Sequence, residues 1–310
     1  MKILRNAEAF CPAGISSFFE ICDTDATGRR VTDYERVGSR GGGFRIGRGV
    51  RARVSASCSD KSRIDVRINS RRSDANTTRS ALTQLLERSG FKYDVRVEVT
   101  TQVPIAAGFG TSAAGTLASC LALADLAMIP VTFNELGRIT HVAEVLNRTG
   151  LGTTSALLHG GFGLVVEPGA PGIGRVDRLL FPKDHSIICV YFAPILTSDA
   201  LRRRSVADRV NPAGRRALAA IQERPELSIF LSAARRFSQA AGFHTAETRK
   251  AIDVLLANGA VGAAQNMIGE AVHGVIETSR SLRMGKVLKS RFRSAKVFVT
   301  DLDDAGLHLV

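Results

Sequence analysis

"PIAAGFGTSAAGTLASCLALADL" runs from Pro104 to Leu126 and sets a small-residue loop directly against an apolar helix. Upstream, Val95, Val97 and Val99 alternate with polar residues, the period of a half-buried strand. Downstream, Leu117, Leu121, Ala124 and Met128 follow at helical spacing and fall on one face. A strand, a glycine turn and a helix start together make an anion site, because the first helical N–H groups lack partners and sit at the positive end of the dipole. Gly108 and Gly110 let a ligand approach the main chain. Thr111 and Ser112 can cap the helix or offer hydroxyls to a phosphate or its Mg²⁺. Ala113, Ala114 and Gly115 keep side chains out of the first turn. No Lys follows the loop, so it is not a G-x-x-x-x-G-K-[ST] loop, and Ala113 breaks the dinucleotide G-x-G-x-x-G. Taken alone, the stretch also suits a plain strand-to-helix turn.

Working outward, 44–57, 63–69 and 93–103 read as strands, and "TTRSALTQLLERSG" between the last two reads as a helix closed by Gly90. "FNELGRITHVAEVLN" (133–147) carries a second apolar helix face through Leu136, Ile139, Ala143 and Leu146. "HGGFGLVVEPG" (159–169) reads as a turn into a strand, "SIICVYFAP" (186–194) as a buried strand, and "AKVFVTDLDD" as a final strand. Helices are expected from about 211 to 290. Strands first, a mixed middle and a helical second half indicate an α+β fold of two packed lobes.

The 310 residues suffice for a sizeable core, and no apolar run reaches the ~20 residues of a membrane span. "MKILRNAEAF" lacks a signal-peptide core, so a cytoplasmic protein is expected. Five scattered cysteines form no C-x-x-C pair and indicate reduced thiols rather than a zinc site or a disulfide framework. The net charge of +13 points to an anionic partner. With no Trp and only three Tyr, that partner is expected to be an acidic small molecule rather than a nucleic acid or a membrane.

"PIAAGFGTSAA" resembles the P-x-x-x-G-[LF]-[GA]-[ST]-S-[AG]-A loop of the GHMP kinase superfamily. "AFCPAGISSFFEI" (9–21) is similar to that superfamily's N-terminal substrate strand and loop. "GSRGGGFRI" (38–46), "HVAEVLNRTGLG" (141–152) and "GGFGLVVEPGAPGIG" (160–174) resemble its archaeal pantoate-kinase branch, and "AAQNMIGEAVHG" (263–274) resembles the helix carrying its third motif. The resemblance implies an N-terminal ribosomal-protein-S5-like lobe over 1–180 with the nucleotide loop, and a helix-rich C-terminal α/β lobe over 181–310. It implies ATP and Mg²⁺ as cofactors and allows for a homodimer. Pro104, Ala107, Gly108, Gly110, Thr111, Ser112, Ala113 and Ala114 would hold the nucleotide, with Ser112 and Glu144 on Mg²⁺.

Nine residues beyond Glu144, where the family usually carries its catalytic Asp, this chain has Thr153. Gly14 and Val165 stand where the pantoate branch typically has a His and an Arg. Among substitutes for the Asp, Glu20 ranks ahead of Asp23 and Asp25. Ser16, Ser17, Arg40, Thr153 and Thr197 are the candidate substrate contacts. His141, His159 and His273 have no metal spacing and read as structural. The expected activity is an ATP-dependent kinase of a small branched acid. Its first acceptor is mevalonate 3-phosphate, which the lost Asp would suit; pantoate is the alternative, and a non-catalytic ligand-binding fold is the alternative of another class.

Overall fold

The computed structural model describes residues 6–90, 92–195 and 204–310. Two long strands, β1 (Ala7–Cys22) and β2 (Gly38–Cys58), form an antiparallel ribbon from which the first sheet grows. The glycines at 41–43 let the two backbones close: a Cβ on Gly43 would collide with the carbonyl of Ile15. Along its length β2 also pairs with β5 (Tyr93–Thr101) and with β6 (Phe162–Glu167). β3 (Arg63–Ile68) runs parallel to β5, β4 (Arg71–Ser73) closes that edge, and β7 (Arg175–Leu179) extends β6. A second sheet, entirely antiparallel, has the order β11 (Lys296–Thr300), β8 (His185–Ala193), β10 (Glu270–Glu277), β9 (Gly262–Gln265). This is the α+β architecture that the sequence indicates.

Three helices share the first core with β1, β2 and β5: α1 (Asn76–Ser89), α2 (Thr111–Leu126) and α3 (Phe133–Asn147). Gly90 ends α1 in the left-handed conformation, and a reciprocal Thr132/Glu135 box starts α3. The short α4 (Thr153–Leu158) follows. A second core joins the first sheet to the second through α5 (Arg204–Glu223) and α6 (Leu227–Ala240). There Phe44 stacks on Phe162 at 4.5 Å while Phe230 meets both edge-on; burying each ring contributes about 1.5–3 kcal/mol. α7 (Ala246–Ala257) and α8 (Thr278–Arg291) cover the second sheet over Ile188, Leu255 and Met284.

Three expectations are corrected. α2 is buried on every side from Ala113 to Ala124 rather than along one stripe, and Met128 lies beyond its end, exposed. Leu146 on α3 is half exposed. Residues 263–274 form the β9–β10 hairpin, not a helix, because both faces of these strands are buried and the run shows no strand period. β12 (His308–Leu309) returns to pair with β1, so the first sheet holds strands from both ends of the described chain.

Candidate active site

β1, β2, the loop before α2, the turn after α3 and the start of α4 enclose a cavity of about 330 Å³. A second cavity of about 280 Å³ adjoins it, lined by Asn76, Thr77 and Thr78 of α1 and by Val99 and Thr101 of β5. Ile105, Thr111, Ser112 and Thr149 line both. The start of α2 therefore stands at the junction of two ligand-sized spaces.

Gly108 and Gly110 both take left-handed angles, at φ 74° and 61°. A Cβ on Gly110 would reach Thr153 Cγ2 at 2.7 Å, and one on Gly108 would press on Asn266 of the β9–β10 turn. The loop is thus held between α4 and the second sheet. The Ala114 N–H is the first to find a helical carbonyl, that of Gly110. The N–H groups just before it carry the positive end of the α2 dipole toward the cavities. No side chain caps this helix; Ser112 Oγ instead donates to Glu144 Oε1 at 2.5 Å.

Glu144 sits on the last full turn of α3 with 2% of its surface exposed. Thr149 Oγ1 donates to the same Oε1 at 2.6 Å, and Oε2 lies against Gly150, where any side chain would collide with it. Burial pushes the Glu144 carboxyl above the usual carboxylate range, and the two hydroxyls only partly offset this. A buried acid facing a cavity, with no paired cation among the described residues, is chemically suited to a metal. A carboxylate and a hydroxyl side by side offer the hard oxygen donors Mg²⁺ takes when phosphate and water complete its shell. Among the described residues no cluster of three or more His, Cys, Asp or Glu forms an all-protein metal cage.

Of the sequence candidates, Ala107, Gly108, Gly110, Thr111, Ser112, Ser16 and Thr153 line the larger cavity with Glu144. Pro104 does not, and Ala113 and Ala114 face the first core. Ser17 is fully buried on the far side of its strand, bonded to His273 Nε2 at 2.9 Å, so it is not a substrate contact. Glu20 is not positioned as a base either. Arg40 and Arg215 clamp its two oxygens at 2.7–2.8 Å, and neither Glu20 nor Arg40 lines the cavity. Thr197 lies outside the described residues. His141 and His159 bond backbone carbonyls, and burial holds the His273 ring down at about 3. Sequence reasoning missed Thr149, which lies inside the 141–152 stretch but was not singled out there, and Arg45, the arginine in the glycine-rich stretch of β2 that does line the cavity.

Residues 76–161, which hold the loop, Glu144 and Thr153, match the model of the GHMP kinases N terminal domain. That stretch of the chain carries a GHMP kinase N-terminal domain. The chain is a phosphotransferase acting on a hydroxyl group. It is 26% identical to the pantoate kinase of Thermococcus kodakarensis over 90% of this chain and 91% of that one. It is 30% identical to the pantoate kinase of Methanospirillum hungatei over 64% of each chain. Its fold superposes on a solved structure described as a phosphotransferase related to the CoA biosynthesis pathway, with TM-score 0.87, 23% identity and 99% of both chains covered.

Proposed function

We propose that this protein transfers the γ-phosphoryl group of ATP to the primary hydroxyl of pantoate, a small branched hydroxy acid. The observation that carries the reading is the junction of two cavities at the start of α2, with Ser112 and Glu144 on its floor. The smaller cavity takes the nucleoside, the helix start takes the phosphates, and the larger cavity takes the acceptor. Mg²⁺ held by Ser112 and Glu144 would supply charge neutralisation on the phosphates.

The acceptor cavity suits a branched carbon skeleton: Ile15, Leu157, Val165 and Ile268 line it beside Ser16 and Thr153. Glu144 is its only lining carboxylate among the described residues, and Ser112 and Thr149 already occupy Oε1. Phosphoryl transfer through a loose transition state does not require a strong base, because the nucleophile's proton leaves late. Thr153, at the start of α4, orients the acceptor hydroxyl, and alignment with the dipole of α2 supplies the rate. Mevalonate 3-phosphate ranks second as acceptor, since the curated relatives bear the pantoate name.

A coupled ADP-release assay with Mg·ATP and a panel of hydroxy acids tests the proposal. Turnover of pantoate above mevalonate 3-phosphate, mevalonate and homoserine is expected. ADP release with mevalonate 3-phosphate alone reverses the order of acceptors, and tight ATP binding without release on any acid assigns the fold to ligand binding.

A further inference from the structure

Arg45 is 2% exposed, yet it lines the larger cavity. One nitrogen, Nη1, donates to the Gly43 carbonyl at 3.2 Å. Among the described residues, Nε and Nη2 have no partner and no carboxylate pairs with the guanidinium. The charged neighbour that it feels is a second cation, Arg178. An uncompensated buried cation costs several kcal/mol, a burden that a packed wall does not require. Burial lowers Arg45 only to about 10, so it stays charged at neutral pH.

The two unpartnered nitrogens are the ones that point the same way. Nε–H and Nη2–H form the edge of a guanidinium that grips both oxygens of a carboxylate. Both nitrogens are buried, and the element beside them carries a glycine. Gly14 sits opposite Arg45 on β1, and Gly163 sits opposite Gly43 on β6, on the same face. A Cβ on Gly163 would reach Nη2 at 2.6 Å. Arg45 thus packs against Gly163 at the cavity's edge, and pairing with a ligand requires its guanidinium to turn out of this packed position.

We propose that Arg45 is the specificity residue for the acceptor, pairing its Nε/Nη2 edge with the acceptor's carboxylate. This rests on the larger cavity being the acceptor site. It makes the cavity select a planar carboxylate over a neutral group of the same shape, using charge from β2 rather than from the loop that holds phosphate.

The experiment compares wild type, Arg45→Met and Arg45→Lys by titration calorimetry with pantoate and with pantoamide, its neutral amide, and by thermal melting without ligand. Wild type should prefer pantoate by about tenfold or more. Arg45→Met should lose about 30-fold in pantoate affinity while pantoamide stays within about threefold, the scale of an unmade charge pair. Arg45→Lys keeps the charge but not the two-pronged edge, so its preference should fall in between. Without ligand, Arg45→Met should melt no lower than wild type, since an apolar side chain of similar length replaces an unpaired buried charge. An unchanged acid-over-amide preference in both variants overturns the proposal. So does a loss in Arg45→Met that is equal for both ligands and comes with a lower melting temperature, which marks a structural role, or wild type that does not bind pantoate. Turnover separates this from the kinase reading. Pantoate binding that depends on Arg45 but yields no ADP sinks the kinase and keeps Arg45, whereas pantoate turnover with KM unchanged in Arg45→Met does the reverse.

Discussion

Glu144 combines the features of a ligand carboxylate: burial, two hydroxyl donors on one oxygen, and no paired cation among the described residues. Replacing it with Gln keeps the hydrogen bonds from Ser112 and Thr149 and removes only the charge. kcat should fall about 100-fold, the scale of losing one preorganised electrostatic contact. Because the carboxyl is raised in the folded chain, its ionised form lowers stability as pH rises, so Glu144→Gln should not lower the melting temperature at neutral pH. The same direction fixes the pH dependence of metal use. Protonation begins at a higher pH than for an exposed Glu, so the Mg²⁺ concentration giving half-maximal rate should climb as pH falls from neutral, with saturating Mg²⁺ restoring the rate. A half-saturation concentration flat from pH 8 to 5 contradicts this role. Thr153→Ala, by contrast, should cost less than about tenfold, because orientation rather than proton abstraction is asked of it. Complete loss of activity in that variant would show Thr153 to be indispensable.

At the scale of elements, the start of α2 is what the sequence showed best. Glycines followed by hydroxyls and an apolar helix have one local solution, and the structure builds it with both glycines left-handed. Gly110→Val forces a β-branched residue into that conformation against Thr153, and ATP affinity should drop at least about tenfold while circular dichroism stays unchanged. The β9–β10 hairpin was illegible because strands buried on both faces lose their period. Glu20 and Arg40 looked like site residues because they border the substrate strand. They are 20 residues apart in sequence, and only the β1–β2 register, together with Arg215 on α5, shows them to be a clamp. Glu20→Gln should therefore destabilise by about 1–3 kcal/mol with KM unchanged, measured by chemical denaturation beside steady-state kinetics. Arg45 escaped for the opposite reason. An arginine inside a strand reads as solvent-facing until the cavity beside it is known.

For the whole molecule, the first sheet, α2 and the turn of the second sheet converge on one place, where two cavities meet at a helix start. That convergence supports a kinase with separate nucleotide and acceptor spaces, and among the described residues no helix is long and apolar enough to cross a membrane. The pattern of sequence legibility follows from it. Contacts within a short stretch, such as the loop and its helix, leave a local signature, while the acceptor wall is assembled from β1, β2, α4 and β6 and leaves almost none. The central claim is tested most directly by ³¹P NMR of wild-type protein incubated with Mg·ATP and pantoate. The account predicts a new phosphomonoester resonance coupled to the methylene protons of the primary carbon, growing in step with ADP. ATP left intact, or hydrolysed to inorganic phosphate with pantoate unmodified, would contradict it.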